Sequence, residues 1–354
     1  MSGTINTNKS SFVIFGHGYD ATNPDSGTGA NVVRDTLNVG AYFGAFDITG
    51  QYCWIYAVTP SKRLIKYKTS DWTEVSHSIP IAQNDNVFVH PVNTDNNIGI
   101  LISNENNQTT TTIFDLTDGS VILQANSGYY ISGSQLYECI IVGTTAYLMR
   151  RGERAVIYAL NCETGSLTQY SQQSSGMGSQ GFIDDDTVFI HRVISWFGDY
   201  KGLGGASFGF SNQWWVNASV SGSAGFPNVA FNQYVGGNGY VYIPTYKNGK
   251  WGLGKYSGDS ASDYETPNPI KMIGETSNAL EFDHFGAVYS NEKEYALICA
   301  TSGIYMTNFN YLLYLAPISD TQSYNVARPL CINDTFALIS APAYQYTRIY
   351  RFRG

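Results

Sequence analysis

The sequence predicts an all-β chain: seven copies of a four-stranded antiparallel unit, joined in one circular array whose last unit is completed by the first strand. Three observations predict it. Helical patterning is nearly absent, because no long stretch repeats apolar residues at the helical spacing and Gly (36 residues), Asn, Ser and Thr interrupt the chain every few positions. A short β-rich run, a tight polar turn and a second run recur at a period of roughly 47 residues, near the ~40–50 of known four-stranded repeats. Finally, the last copy is one strand short, while a spare apolar segment precedes the first.

The first copy pairs residues 41–46 with 52–58 across a turn. The second runs of the other copies fall at 98–103, 146–150, 187–191, 240–244, 295–300 and 336–340. The turns before them are rich in Asp, Asn and Gly (95–97, 143–145, 184–186, 236–239, 291–293, 333–334), residues that tolerate the backbone of tight hairpins. Third runs follow at 63–68, 111–116, 155–160, 206–210, 251–256, 311–315 and 348–352. Fourth runs are legible at 72–76, 120–124, 166–170 and 213–219.

The seventh copy stops after its third run, and residues 11–16 (SFVIFG) are a strand without a copy of their own. If they pair in the C-terminal unit, no sheet edge is left open to aggregation. The expectation is therefore one seven-bladed β-propeller domain spanning 1–354, with blades at about 40–80, 86–125, 136–172, 178–221, 229–270, 281–326 and 328–354 plus 11–16. A pair of β-sandwiches is the alternative, and it leaves the four-run period unexplained.

In such a meander the first-to-second and third-to-fourth turns share one face of the disc, and the remaining connections share the other. The long connections are expected on that second face, at 125–135, 171–181, 195–205, 222–228, 257–279 and 302–310. Insertions in repeat folds collect on one face, often the binding face. These loops carry Tyr129, Tyr130, Trp196, Phe197, Tyr200, Phe226, Tyr264, Tyr305 and Phe309. Broad, stiff aromatic side chains suit the recognition of sugars or proteins, so these nine are the candidate ligand- or partner-binding residues.

Composition narrows the function classes. Lys and Arg number 20 against 28 Asp and Glu, a net charge of −8 that offers no basic stripe for nucleic acid. No apolar run approaches the roughly 18 residues of a membrane-spanning helix, and residues 1–9 lack the apolar core of a secretion signal. The five cysteines (Cys53, Cys139, Cys162, Cys299, Cys331) are scattered without a C-x-x-C pair, and are expected to be reduced core residues of a chain folding in a reducing cytosol. The sequons at Asn107, Asn217 and Asn333 carry no weight without a signal.

No catalytic constellation is read. Asp184, Asp185 and Asp186 fall in a predicted hairpin turn, and His17, His77, His90, His191 and His284 show no metal-ligand spacing. Nucleophile-elbow, phosphate-loop and dinucleotide motifs are absent, and the Gly-rich 198–205 segment has no helix to follow it. No cofactor and no metal are expected.

Residues 156–166 (VIYALNCETGS), and more loosely 113–120 (IFDLTDGS), resemble the strand, Asx/Thr-Gly turn and return strand of quinoprotein-like propeller repeats. The likeness covers two copies, lacks the family's closing Trp, and implies the fold without a quinone cofactor. Residues 69–74 (TSDWTE) faintly resemble the Asp-box turn of sialidase-type propellers, and the signatures of WD40 and kelch repeats are absent. A chain poor in Lys and rich in Asn, Gly, Ser, Thr and Tyr also resembles bacteriophage virion components, such as the propeller modules of tail, nozzle or receptor-binding proteins. The function expected from this is a non-enzymatic interaction scaffold. It would be a structural or host-contacting part of a phage particle, assembled in the bacterial cytoplasm, with other virion proteins or host surface glycans as partners. A lectin-like glycan-binding propeller is the alternative, and a glycan-cleaving enzyme with acids on the axis is the third.

Overall fold

The computed structural model describes residues 32–79, 90–92, 97–105, 108–126, 136–142, 144–150, 156–171, 177–182, 187–194, 200–207, 214–218, 235–237, 240–257, 270–276, 296–300, 303–307, 312–316, 327–333 and 335–352. They begin with β1 (Val32–Leu37), which joins the last sheet. Sheet 1 follows as β2 (Gly40–Phe46), β3 (Tyr52–Thr59), β4 (Arg63–Lys68) and β5 (Thr73–Val75). Sheet 2 holds β6 (His90–Val92), β7 (Ile98–Glu105), β8 (Gln108–Asp115) and β9 (Val121–Asn126). Sheet 3 holds β10 (Leu136–Val142), β11 (Thr145–Arg150), β12 (Val156–Asn161) and β13 (Leu167–Ser171).

Sheet 4 holds β14 (Met177–Phe182), β15 (Thr187–Ile194), β16 (Tyr200–Ser207) and β17 (Trp214–Ala218). Sheet 5 holds β18 (Val235–Gly237), β19 (Tyr240–Lys247), β20 (Lys250–Ser257) and β21 (Lys271–Thr276). Three strands are described in sheet 6: β22 (Ala296–Ala300), β23 (Gly303–Thr307) and β24 (Leu312–Ala316). Sheet 7 has the order β1, β27 (Tyr346–Phe352), β26 (Phe336–Ala341), β25 (Arg328–Ile332). All strand pairings are antiparallel, as in a meander. The first strands of successive sheets touch: β25 lies against β2, β2 against β6, β6 against β10, and β10 against β14.

The core lies between sheets, not inside any one of them, and β3 shows why. Its Cys53, Ile55 and Ala57 pack toward sheet 7 with Leu330, Cys331, Phe336 and Leu338. The alternate residues Trp54 and Tyr56 pack toward sheet 2 with Leu101, Phe114 and Leu116. A strand buried on both faces needs apolar residues at every position, so it reads as a continuous apolar run. β26 repeats the device, with Phe336 and Leu338 facing sheet 1 while Ala337 and Ile339 face sheet 6.

Several expectations are corrected. The strand that completes the C-terminal sheet is Val32–Leu37, paired from Val32↔Phe352 to Leu37↔Thr347; residues 11–16 lie outside the described residues. β1 needs only Asn38 and Val39 to reach β2, so the chain passes directly from the edge of sheet 7 to the first strand of sheet 1. Second-to-third connections are short: Pro60 to Lys62 in sheet 1 and the Asn248–Gly249 turn in sheet 5, both of whose residues have positive φ (53° and 79°). Parts of four expected loops are strands: β14 lies in 171–181, β16 in 195–205, β21 in 257–279 and β23 in 302–310. β20 and β21 are the third and fourth strands of sheet 5, so the connection between them is a third-to-fourth one, not the kind expected to be long; its residues 258–269 lie outside the described residues.

Candidate functional site

The third-to-fourth turns of sheets 1, 2 and 3 share one geometry. Trp72 N–H donates to the Lys68 carbonyl, Gly119 N–H to Asp115 and Gly165 N–H to Asn161, at 2.8–2.9 Å. In each, the donor residue has positive φ (57°, 81° and 72°). Gly fits that conformation without strain, and Trp72 is held in it by edge contact with Phe336 at 5.2 Å. Side-chain oxygens brace these turns: Asp115 Oδ1 accepts from Thr117 N–H (2.7 Å) and Asp118 N–H (3.1 Å), and Asn161 Oδ1 from Glu163 and Thr164 N–H (2.9 Å each).

Between sheets 1 and 2 these turns meet the hairpin at 47–51 in one polar cluster. Asn97 accepts the Ile48 N–H at Oδ1 (2.8 Å) and donates from Nδ2 to Thr117 Oγ1 (2.8 Å). Asp47, itself buried, accepts Tyr52 N–H at 2.8 Å. Lys66, only 3% exposed, sets its ammonium 3.9 Å above the Tyr52 ring and donates to the Thr117 carbonyl. Burial pulls the Lys66 pKa below the ordinary lysine value, against the opposing pull of Asp118, Asp47 and Asp115. Trp54 lies beneath, with its indole N–H on the Leu116 carbonyl at 2.7 Å and its ring 5.0 Å from Phe114 and from His77.

The turns around this cluster carry exposed apolar and acidic residues. Ile48 is 53% exposed at the hairpin tip; Val121 and Ile122, at the start of edge strand β9, are 42% and 56% exposed and point to opposite faces of sheet 2, Val121 to the side of Leu123 and Ala125. Asp118 is held ionised by the Ser120 N–H and hydroxyl, and Asp71 by the hydroxyl and N–H of Thr73; both carboxyls lie below the usual carboxylate range. The arrangement offers apolar contacts beside fixed negative charge on a surface that its own hydrogen bonds hold in place. It suits a partner carrying apolar and cationic groups.

Of the nine aromatic candidates, two fall in described residues. Tyr129, Tyr130, Trp196, Phe197, Phe226, Tyr264 and Phe309 lie outside the described residues, as do Asp184 to Asp186. Tyr200 begins β16 in register with Ile194, and is a strand residue. Tyr305 is corrected outright: it is 2% exposed in β23 and packs edge-on against Tyr314 at 5.4 Å, so it is core. Sequence reading missed Lys66 and the exposed Ile48, Val121 and Ile122. The available signal was a cation inside the apolar run 63–68, where water cannot be its partner.

Comparison with known proteins places the architecture. The chain matches no protein-family model and no curated protein sequence. Solved structures match over nearly its whole length. The β-propeller domain of Cps50 (Swd1) from Myceliophteria thermophila aligns with a TM-score of 0.56 at 9% identity, covering 91% of this chain and 98% of that one. The fold is that of a β-propeller. The WD40 repeats of RRP9 align at 0.54 and 8% identity over 92% and 98% of the two chains. Hydrazine synthase from Kuenenia stuttgartiensis aligns at 0.54 and 11% identity over 89% and 96%. At such identities the likeness is one of propeller architecture, which hosts binding proteins and enzymes alike.

Proposed function

We propose that this propeller is an interaction scaffold that docks a protein partner on the turn face of sheets 1 and 2, as a structural or host-contacting component of a bacteriophage particle. The observation that carries docking is the exposed Ile48, whose hairpin is hydrogen-bonded to the turns that fix Asp118 and Asp71, with the exposed Ile122 on the next sheet. The buried polar groups beneath are engaged in holding that surface: Asp47 and Lys66 bind backbone groups, and Asn97 ties the two turns together. The particle assignment rests on the composition, poor in Lys and rich in Asn, Gly, Ser, Thr and Tyr.

The test is co-assembly. Native or co-expressed particles imaged by negative stain are expected to carry the protein. The double substitution Ile48→Asp, Ile122→Asp is expected to release it while leaving the melting temperature of the isolated chain unchanged. A chain that stays a monomer and joins no particle overturns the reading, and binding on a glycan array would favour the lectin alternative instead.

A further inference from the structure

We propose that Cys53 and Cys331 are a disulfide-forming pair that fastens the N-terminal sheet to the C-terminal one. Cys53 lies on β3 of sheet 1 and Cys331 on β25 of sheet 7, 278 positions apart in sequence, with their sulfurs 3.7 Å apart. Both are buried in the layer between those sheets, among Ile55, Leu330, Phe336 and Leu338. A bond needs the sulfurs to close from 3.7 Å to about 2.05 Å.

Gly44 packs directly against the pair: a Cβ added there would stand 3.2 Å from the Cys331 sulfur. Cys299 is buried in a different layer, between sheets 6 and 7, and Cys162 is half-buried in the turn after β12. Among the four cysteines whose side chains are described, Cys53 and Cys331 are the two brought together.

The oxidant is a low-molecular-weight disulfide. One cysteine, as thiolate, attacks it and expels one small thiolate, giving a mixed disulfide. The second cysteine, also deprotonated, displaces the other small thiolate and closes the protein bond. Two electrons pass to the small disulfide, and the two cysteine protons end on the two small thiols released. Burial and the neighbouring Cys53 push the Cys331 thiol well up, so attack belongs to the stage before the two sheets have docked or when they part.

The full chain would be unfolded and refolded in a glutathione/glutathione-disulfide buffer, with a parallel sample in reductant. The oxidised product is expected to be lighter by two hydrogens, to yield one peptide pair linking Cys53 to Cys331, and to melt roughly 5–10 °C higher than the reduced one. Cys331→Ala is expected to abolish the link and the shift, and Cys299→Ala to keep both. If Cys331→Ala does not fold, the peptide map of the unaltered chain decides alone. Links scattered among other cysteines, or five titratable thiols after oxidative refolding, overturn the proposal.

Discussion

Sheet 1 is gripped from its two sides by different chemistry. Toward sheet 7 the contact is neutral. Ala41 N–H donates to Ser340 Oγ (2.7 Å), the Thr347 hydroxyl to the Val39 carbonyl (2.7 Å), and the Thr59 hydroxyl to the Pro342 carbonyl (2.9 Å), around a layer that holds Tyr67 and the two cysteines. Toward sheet 2 the contact is charged, with Lys66 set among Asp47, Asp115 and Asp118 above Trp54. Neutral hydroxyl-to-carbonyl bonds tolerate acid and salt, whereas an ionic cluster responds to both. One β-sheet therefore has two junctions that should fail under different conditions.

The largest expected effect separates the two cores. Trp54→Ala removes a fully buried indole and its hydrogen bond to Leu116 on the sheet 2 side, and should lower stability by about 3–5 kcal/mol in urea unfolding. On the sheet 7 side the contact is limited by space instead. A Cβ at Gly40 would come within 2.5 Å of the Pro342 Cα and 2.4 Å of the Thr59 hydroxyl oxygen, so Gly40→Ala should destabilise by roughly 2–3 kcal/mol through overpacking. A Gly40→Ala chain as stable as its parent would show that this junction is looser than its distances imply.

Alkali should distinguish the junctions next. Burial foremost, with Glu74 adding to it, raises the Tyr67 pKa from 10 to about 12. The unfolded chain then releases its phenol proton first, so the contribution is complete below pH 10 and is lost as pH climbs through 12. The loss by then is roughly 2 kcal/mol. Tyr67→Phe should flatten that limb of the stability profile, and an unchanged limb would mean that the sheet 7 junction is not what alkali attacks.

The same contrast explains what could be read from sequence. Runs such as 52–58 announce themselves because both faces of β3 are buried and every position is apolar. The turns at Asp115 to Gly119 and Asn161 to Gly165 are legible because their chemistry is local. β16 was hidden: its sequence YKGLGGAS has the composition of a loop, yet it is a central strand paired with both β15 and β17, because glycine, though it weakens a strand, still carries the backbone N–H and C=O that a ladder needs. Hydrophobicity favoured residues 11–16 as the closing strand, but an edge strand need not be apolar. VVRDTL, two residues before β2, takes the place beside β27. The candidate surface was hidden for a related reason. Whether Ile48 or Val121 is covered depends on which turns lie side by side, and Asn97 makes that contact across 49 positions of sequence.

The smallest effect tests the ionic side. Burial, the first cause, lowers the Lys66 pKa below 10.5 in the folded chain, so the ammonium is less favoured there than in the unfolded one. Folding is thus penalised while both states are protonated, and the penalty lifts as pH rises through the folded pKa toward 10.5, opposite in sign to Tyr67. Lys66→Met should remove this gain on alkalinisation. At neutral pH it should cost only about 1 kcal/mol, because the charge-assisted bond to Thr117 is lost while Asp47 and Asp115 keep the backbone N–H groups of Tyr52, Thr117 and Asp118 as partners. The readout is the melting temperature at pH 7, pH 10 and pH 12 for Lys66→Met, Tyr67→Phe and the double variant. The two junctions lie on opposite faces of sheet 1, so the single shifts should add; shifts that fail to add would mean that sheet 1 transmits strain from one junction to the other.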